Sequence, residues 1–299
     1  MTGRSSQPAK AQSGRDFNPL APAGLRDLSL YSAFLFIMAA LLAQFLLTLW
    51  TALLLKISSI SFDYGVFSVR FLSETASGSA RLMAAEPTVV RWSEEQIYLV
   101  FGTGPLLLTA LGLRVLYSLK RRTTADWRTK LALSWVAFVM LNALPCNLLA
   151  GIFFYDGFGT AFQWIASGYL ARGLTGLGVL LLLVGSGRFW RRLFLNACSH
   201  PAFLEDEYLQ KRFVDRAFVR SWVFGMAVLS AFSLPHGGYS WWFALACLGI
   251  PAVTYTLLRF QAITITGDTG PVFRSNRLRL ALLACLILLW AAGFIRIGF

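Results

Sequence analysis

The residues that could do chemistry are concentrated in one segment, Leu141–Arg172, where polar side chains interrupt two apolar stretches. Six of them are candidate ligand-binding residues: Asn142, Asn147, Asp156, Gln163, Ser167 and Arg172. Amides, a hydroxyl and a guanidinium can hold an anionic or polar ligand through hydrogen bonds. A guanidinium within hydrocarbon costs roughly 3 to 10 kcal/mol unless it reaches water or finds partners. The segment therefore predicts a binding site for an anionic lipid or a small solute.

A tight turn at Asp156–Gly159 would make the two stretches an antiparallel pair of helices. Asn142 and Arg172 each lie 15 residues from the middle of that turn, about 22 Å along an ideal helix. The spacing thus predicts a polar ladder between the third and fourth spans, with Arg172 nearer the cytoplasmic face. The alternative is structural: Asn142 and the carbonyl of Leu141, which Pro145 leaves without its usual donor, would satisfy the guanidinium.

Asp156 is the one carboxylate of the segment, and it could cap the following helix or act as a catalytic acid. Asn142–Pro145 (Asn-Ala-Leu-Pro) followed by Asp156-Gly157 resembles the Asn-x-x-Pro and Asp-Gly elements of intramembrane site-2 metalloproteases. That family binds zinc through His-Glu-x-x-His, and this chain has only two histidines, 36 residues apart. No metal, cofactor or catalytic motif is predicted, so an enzyme built around Asp156 is the third of three function classes.

The elements that must position these residues are helices in a membrane. The chain is 57% hydrophobic and 14% charged, whereas a soluble domain carries about a quarter charged residues. A run of about 20 apolar residues crosses a hydrocarbon core of about 30 Å. Seven stretches approach that length: Leu28–Leu55, Ile97–Leu119, Leu131–Phe154, Ala161–Gly187, Val219–Leu234, Ser240–Leu258 and Leu278–Phe294. The predicted fold is all-α, a polytopic transmembrane bundle of about seven spans with a small extracytoplasmic β-containing loop.

The net charge of +13 follows from how the bundle is oriented. Twenty of the 27 Lys and Arg fall in the N-terminal tail and the second, fourth and sixth loops, and four fall in the loop at 56–93. The positive-inside rule then predicts a cytoplasmic N-terminus and, with seven spans, an extracytoplasmic C-terminus. Since no organellar targeting segment is recognised, we expect a bacterial inner membrane. The positive charge predicts contact with anionic membrane lipids and no binding to nucleic acid.

Two segments outside the spans could bind protein partners. We predict a disordered cytoplasmic tail at 1–27 and a single membrane domain at 28–299. The loop at 56–93 contains a predicted strand at Ser61–Leu72, with Thr88–Trp92 as a candidate partner strand. We predict an amphipathic cytoplasmic helix at Ser199–Arg220, which lies on the membrane or docks on other cytoplasmic loops. These segments carry the second function class, a non-catalytic subunit of a membrane assembly.

Overall fold

Helices make up most of the described chain. The structure is a computed structural model, and it describes residues 22–58, 62–65, 68–71, 94–121, 127–154, 158–166, 168–197, 207–233, 239–257 and 296–298. In this part, four helical runs are long and apolar enough to cross a membrane: Leu28–Ile57, Glu95–Arg121, Trp127–Phe153 and Tyr169–Ala197. The seventh predicted span, Leu278–Phe294, lies outside the described residues, as do 1–21.

The first part of the chain forms one long helix and a strand pair. Helix α1 spans Pro22–Ile57, and a proline suits a first helical position because its missing N–H would have no helical acceptor there. Strands β1 (Phe62–Gly65) and β2 (Ser68–Phe71) pair antiparallel, within the stretch predicted as one strand. The partner strand proposed at Thr88–Trp92 lies outside the described residues.

The second run is continuous but contains a widened turn. It consists of α2 (Glu94–Ile97), the π-helical turn π1 (Tyr98–Gly102) and α3 (Thr103–Arg121). Lys120 and Arg121 lie in the last turn of α3, where positive charge favours the negative end of the helix dipole.

The third helical run, at 127–153, bends in its middle. The segment predicted as the fourth span consists of two separate helices. Helices α4 (Trp127–Leu141) and α5 (Ala143–Phe153) meet at a bend at Asn142. Helix α6 (Phe158–Ile165) then ends before α7 (Tyr169–Ala197) begins. The prediction of one span at Ala161–Gly187 was therefore wrong. The helix breaks after Ile165, and α7 carries on ten residues past Gly187.

The predicted helix at Ser199–Arg220 belongs to a longer helical run. Its described part is α8 (Glu207–Val214), the π-helical turn π2 (Asp215–Val219) and α9 (Arg220–Ser233), with no interruption. Four of its apolar residues lie in the core of the bundle, Leu209, Phe213, Ala217 and Phe218, whereas Tyr208 is exposed. The last described helices are α10 (Tyr239–Cys247) and α11 (Gly249–Leu257), joined at Leu248.

Contacts between helices give the direction of each run. Tyr31, early in α1, contacts Trp127 at the start of α4, with ring centroids 5.8 Å apart. Trp50, late in α1, donates a hydrogen bond to Thr103 at the start of α3 (2.8 Å). Helices α1 and α4 therefore begin at the end of the bundle where α3 finishes. We name this the basic end, after the lysine and arginine there, and the other the opposite end.

The later runs continue the alternation. Ser29 near the start of α1 donates to the carbonyl of Arg216 in π2 (3.0 Å), so the run containing α9 also begins at the basic end. Phe153, at the last residue of α5, contacts Phe243 in α10 (5.3 Å between ring centroids). Helix α10 therefore begins at the opposite end.

The core near the basic end is built from aromatic rings. The ring centroid of Trp135 lies 5.1 Å from that of Phe36, 4.8 Å from Phe194 and 5.6 Å from Phe218. Phe138, one turn after Trp135, packs 4.9 Å from Phe218. Aromatic pairs contribute about 0.5–1.5 kcal/mol each beyond their buried area. These contacts hold α1, α4, α7 and π2 together.

A third strand brings the chain's last residues back to its first loop. Strand β3 (Arg296–Gly298) pairs antiparallel with β1, matching Asp63 with Gly298 and Gly65 with Arg296. The strand order is β2-β1-β3. Strand β1 thus has a neighbour on each side.

Candidate functional site

The bend at Asn142 is where a polar side chain replaces regular helical geometry. Pro145 has no N–H to donate to the carbonyl of Leu141, and Asn142 adopts φ −87° and ψ 0°. The Asn142 side chain donates from Nδ2 to the carbonyl of Phe138 (2.7 Å), which also accepts the Asn142 backbone N–H (3.3 Å). The amide therefore supports its own helix at the bend.

Helix α3 packs directly against this bend. A Cβ added at Gly112 would lie 2.8 Å from the backbone nitrogen of Leu141 and 3.0 Å from Cβ of Met140. Only a residue without a side chain allows this approach, so Gly112 fixes where α3 crosses the bend.

Asn147 bonds to its own helix as Asn142 does, one to two turns further on. Its Nδ2 donates to the carbonyl of Ala143 (2.7 Å). Both asparagines line a small cavity between α1, the α4–α5 bend and α10. The other residues lining it are Ala43, Val139, Ala143, Cys146, Ala244, Leu245 and Leu248.

Gln163 bonds to the end of α5 through its side-chain amide. Its Nε2 donates to the carbonyls of Gly151 (2.9 Å) and Phe154 (3.2 Å), which have no helical donor at the end of the helix. A Cβ at Gly151 would lie 3.2 Å from Cα of Gly159, so these two glycines let α6 pack closely on α5.

Arg172 lies at the junction of α6 and α7. Its Nε donates to the carbonyl of Ala166 (2.7 Å), at the break between the two helices. The structural alternative, in which Asn142 and Leu141 satisfy the guanidinium, was therefore wrong about the partner. The type of acceptor was predicted correctly, because the guanidinium donates to a backbone carbonyl at an interruption between helices.

The predicted equal depth of Asn142 and Arg172 was also wrong. A Cβ at Gly176 would lie 2.7 Å from Cδ1 of Ile152, so Gly176 is level with the last turn of α5. Arg172 precedes Gly176 by about one turn and lies beyond that level, about 6 Å further out, whereas Asn142 lies about 15 Å back along α5. The break after Ile165 causes the difference, because the residues of α6 do not add to the length of α7.

The six predicted residues thus fall into separate places. Asn142 and Asn147 share the cavity, and Gln163 and Arg172 each bind backbone around α6. Asp156 and Ser167 lie outside the described residues, and so do both histidines. Within the described part of the chain, no three His, Cys, Asp or Glu side chains gather as metal ligands do.

Sequence reasoning missed a pair of matching hydrogen-bond chains along α1. Near the basic end, Nε1 of Trp135 donates to Oγ of Ser32 (2.7 Å), and that hydroxyl donates to the carbonyl of Ala217 in π2. Near the opposite end, Nε1 of Trp50 donates to Oγ1 of Thr103 (2.8 Å). That hydroxyl donates to the carbonyl of Leu99 in π1 (2.6 Å).

Both chains end on a π-helical turn, where the backbone pattern changes and side chains can reach the carbonyls. The bond from Trp50 to Thr103 joins α1 to α3. A tryptophan and a Ser or Thr at similar depth on adjacent helices would have indicated these bonds. The sequence alone does not say which helices are adjacent.

Arg191 is the other residue missed. It was counted among the lysines and arginines of the fourth loop, yet it lies on α7 and is buried. The apolar stretch ends at Gly187, so nothing in the hydropathy pattern indicated that the helix would continue to Ala197.

Comparisons with known proteins add no relative to this picture: no protein-family model, no curated protein and no solved structure matches the chain.

Proposed function

We propose that this chain is a multi-pass membrane protein that binds the phosphate of an anionic lipid through Arg172. The observation that carries the proposal is the bonding of this guanidinium. Its Nε donates to the neutral carbonyl of Ala166, and among the described residues its two Nη atoms have no hydrogen-bond partner, so their N–H groups can serve a ligand. A guanidinium presents these donors in a fork that fits two phosphate oxygens.

The charge of Arg172 supports an anionic partner. Among the described residues, the one ion pair joins Arg220 to Asp215 (2.7 Å), and no described carboxylate reaches Arg172. A charge held at the edge of hydrocarbon is stabilised by an opposite charge or by water. A lipid phosphate supplies the opposite charge at the depth where Arg172 lies.

The surroundings of Arg172 support a lipid over a water-soluble anion. The residues beside it on α7 are apolar and point away from the bundle, with Tyr169 92% exposed, Leu170 77% and Leu174 62%. Tyrosine favours the boundary between hydrocarbon and headgroups, and leucine favours the acyl chains. A lipid bound here would place its phosphate at Arg172 and its chains along α7.

The proposed topology remains seven spans with the N-terminus in the cytoplasm of a bacterium. Six described helical runs alternate in direction, and α11 contacts π2 and α7 towards the basic end. Strand β3 pairs with β1, which follows α1 by four residues at the opposite end. The 38 residues between Leu257 and Arg296 must join these two ends, and they include the apolar stretch Leu278–Phe294.

A lipid-dependent stability assay tests the proposal. The purified protein is heated in a neutral detergent with phosphatidylglycerol or with phosphatidylcholine, and the unfolding temperature is recorded. We expect phosphatidylglycerol to raise it, because a ligand that binds only the folded state adds about 2.7 kcal/mol at 100 times its Kd. Arg172→Gln should lose most of the rise, and Arg172→Lys, which keeps the charge but not the fork, should keep part of it.

Arg188→Gln provides the matched control, because it removes the same charge from an exposed position near the other end of α7. It should keep most of the rise. Equal stabilisation by the two lipids, or a full rise in Arg172→Gln, would remove lipid binding at this position.

A second candidate is assembly with another membrane protein through α7. Added Cβ atoms at Gly173, Gly178 and Gly185 would meet no atom within 4 Å. Small residues on an outward face allow two transmembrane helices to approach closely. Cysteine crosslinking at Gly178 in native membranes distinguishes the two candidates: a crosslinked partner supports assembly, and its absence leaves this face to lipid.

A further inference from the structure

We propose that the cavity lined by Asn142 and Asn147 is a hydrated site, in which the two amides bind a water molecule inside the membrane bundle. The inference does not involve Arg172, which lies about 14 Å from Asn147 and about 21 Å from Asn142 along the bundle. It rests on the size of the cavity and on the hydrogen-bonding capacity of the two amides.

The cavity is polar only at the two asparagines. Small or apolar side chains of three elements form the rest of its wall, among them Ala43 of α1, Val139 of α4 and Leu245 of α10. Its free space accommodates about one water molecule. An acyl chain or an organic solute is too large for it.

The two amides have unused hydrogen-bonding groups directed to buried surroundings. Asn142 is 3% exposed and Asn147 is 7% exposed. Each donates one N–H to a backbone carbonyl, and within the described chain neither Oδ1 accepts a hydrogen bond. An amide also carries a second N–H, so the pair offers two acceptors and two donors.

Leaving those groups unpaired would be costly. A buried polar group without a partner destabilises a fold by about 1–3 kcal/mol. Water accepted into a polar cavity usually makes two to four hydrogen bonds, which these amides can provide. The wall of the cavity is apolar except at the two asparagines, so a water molecule there would be held by their amides. Hydration would account for the presence of two asparagines in this wall.

The position of the site gives the water a structural role. The bend at Asn142 carries one amide, Asn147 carries the other within α5, and residues of α1, α4 and α10 form the rest of the wall. A water bound there joins the two sides of the bend through hydrogen bonds. The bent helix is thereby held in one shape although Pro145 removes one of its backbone donors.

X-ray hydroxyl-radical footprinting of the full chain in lipid nanodiscs tests the proposal, with bulk water labelled with ¹⁸O. Radicals form from water on irradiation and oxidise the side chains beside it. Cys146 lines the cavity and serves as the reporter. Cys247, a buried free cysteine that does not line the cavity, is the internal control.

We expect Cys146 to be oxidised several-fold faster than Cys247, with ¹⁸O in its product. A bulky charged thiol reagent should leave Cys146 unmodified, since the cavity does not admit molecules of that size. Replacing both asparagines, Asn142→Leu with Asn147→Leu, should lower the Cys146 rate to that of Cys247. If the wild-type protein already oxidises the two cysteines at the same rate, the cavity is dry and the proposal fails, whether or not the double variant folds.

Discussion

Replacing Gly112 by alanine should force α3 away from the bend at Asn142. The new Cβ would lie 2.8 Å from the backbone nitrogen of Leu141 and 2.9 Å from its Cγ, whereas ordinary contacts begin at 3.4 Å. Backbone cannot rotate out of the way as the tip of a side chain can. The two helices would have to separate by about 0.6 Å, or the bend would have to change shape.

The size of the effect follows from two opposing terms. Overpacking a well-packed interface costs about 1–3 kcal/mol. Alanine in place of glycine in a helix interior gains about 1 kcal/mol. We therefore expect Gly112→Ala to destabilise the protein by about 0–2 kcal/mol, the difference of these two terms, and to be about 1–3 kcal/mol less stable than a Gly→Ala change without the clash.

Gly178→Ala on α7 is the matched control, since it makes the same change within an apolar helix. A Cβ there would meet no atom within 4 Å, so only the helix-propensity gain applies. The free energy of unfolding is measured by SDS titration of the folded protein in mixed micelles, with helix content as the signal. Equal changes in the free energy of unfolding for the two variants, or a more stable Gly112→Ala protein, would show that α3 is not packed tightly against the bend.

Three further outcomes are expected. Trp135→Phe keeps a ring in the core but loses the bond to Ser32, and should lower the unfolding free energy by about 1 kcal/mol. Adding Ser32→Ala to it should cost less than Ser32→Ala alone, and full additivity would contradict the coupling. Gln163→Leu leaves two carbonyls at the end of α5 without a donor and should lower the melting temperature, while unchanged melting would mean other groups replace it. Deleting residues 296–299 should speed proteolysis of the loop after α1 without changing the melting of the helices.

The sequence predicted the positions of those helices whose ends are determined by the length of an apolar stretch. The ends of α1 and of the runs at 94–121 and 127–153 fall close to the predicted spans, because apolar length is a strong signal in hydrocarbon. The break after Ile165 has no such signal, since apolar residues flank it on both sides. The π-helical turns at 98–102 and 215–219 depend on which neighbour satisfies the freed carbonyls, and that is known only from packing.

The hydrogen-bond partners of the candidate residues differ from those the sequence indicated. Asn142 and Asn147 were predicted to form a polar ladder with the fourth span, whereas both donate to the carbonyl four residues earlier on their own helix and line a cavity beside α1 and α10. That carbonyl is always within reach of a helical asparagine, so spacing cannot distinguish it from a ligand. Arg172 was placed too deep because residues were counted along a helix that is broken.

The pairing of β3 with β1 has a consequence for how the protein is made. Strand β1 leaves the ribosome well before its partner β3, because 230 residues separate Gly65 from Arg296. The sheet cannot close until β3 has also left the ribosome. Until then β1 lacks the neighbour that covers its second edge.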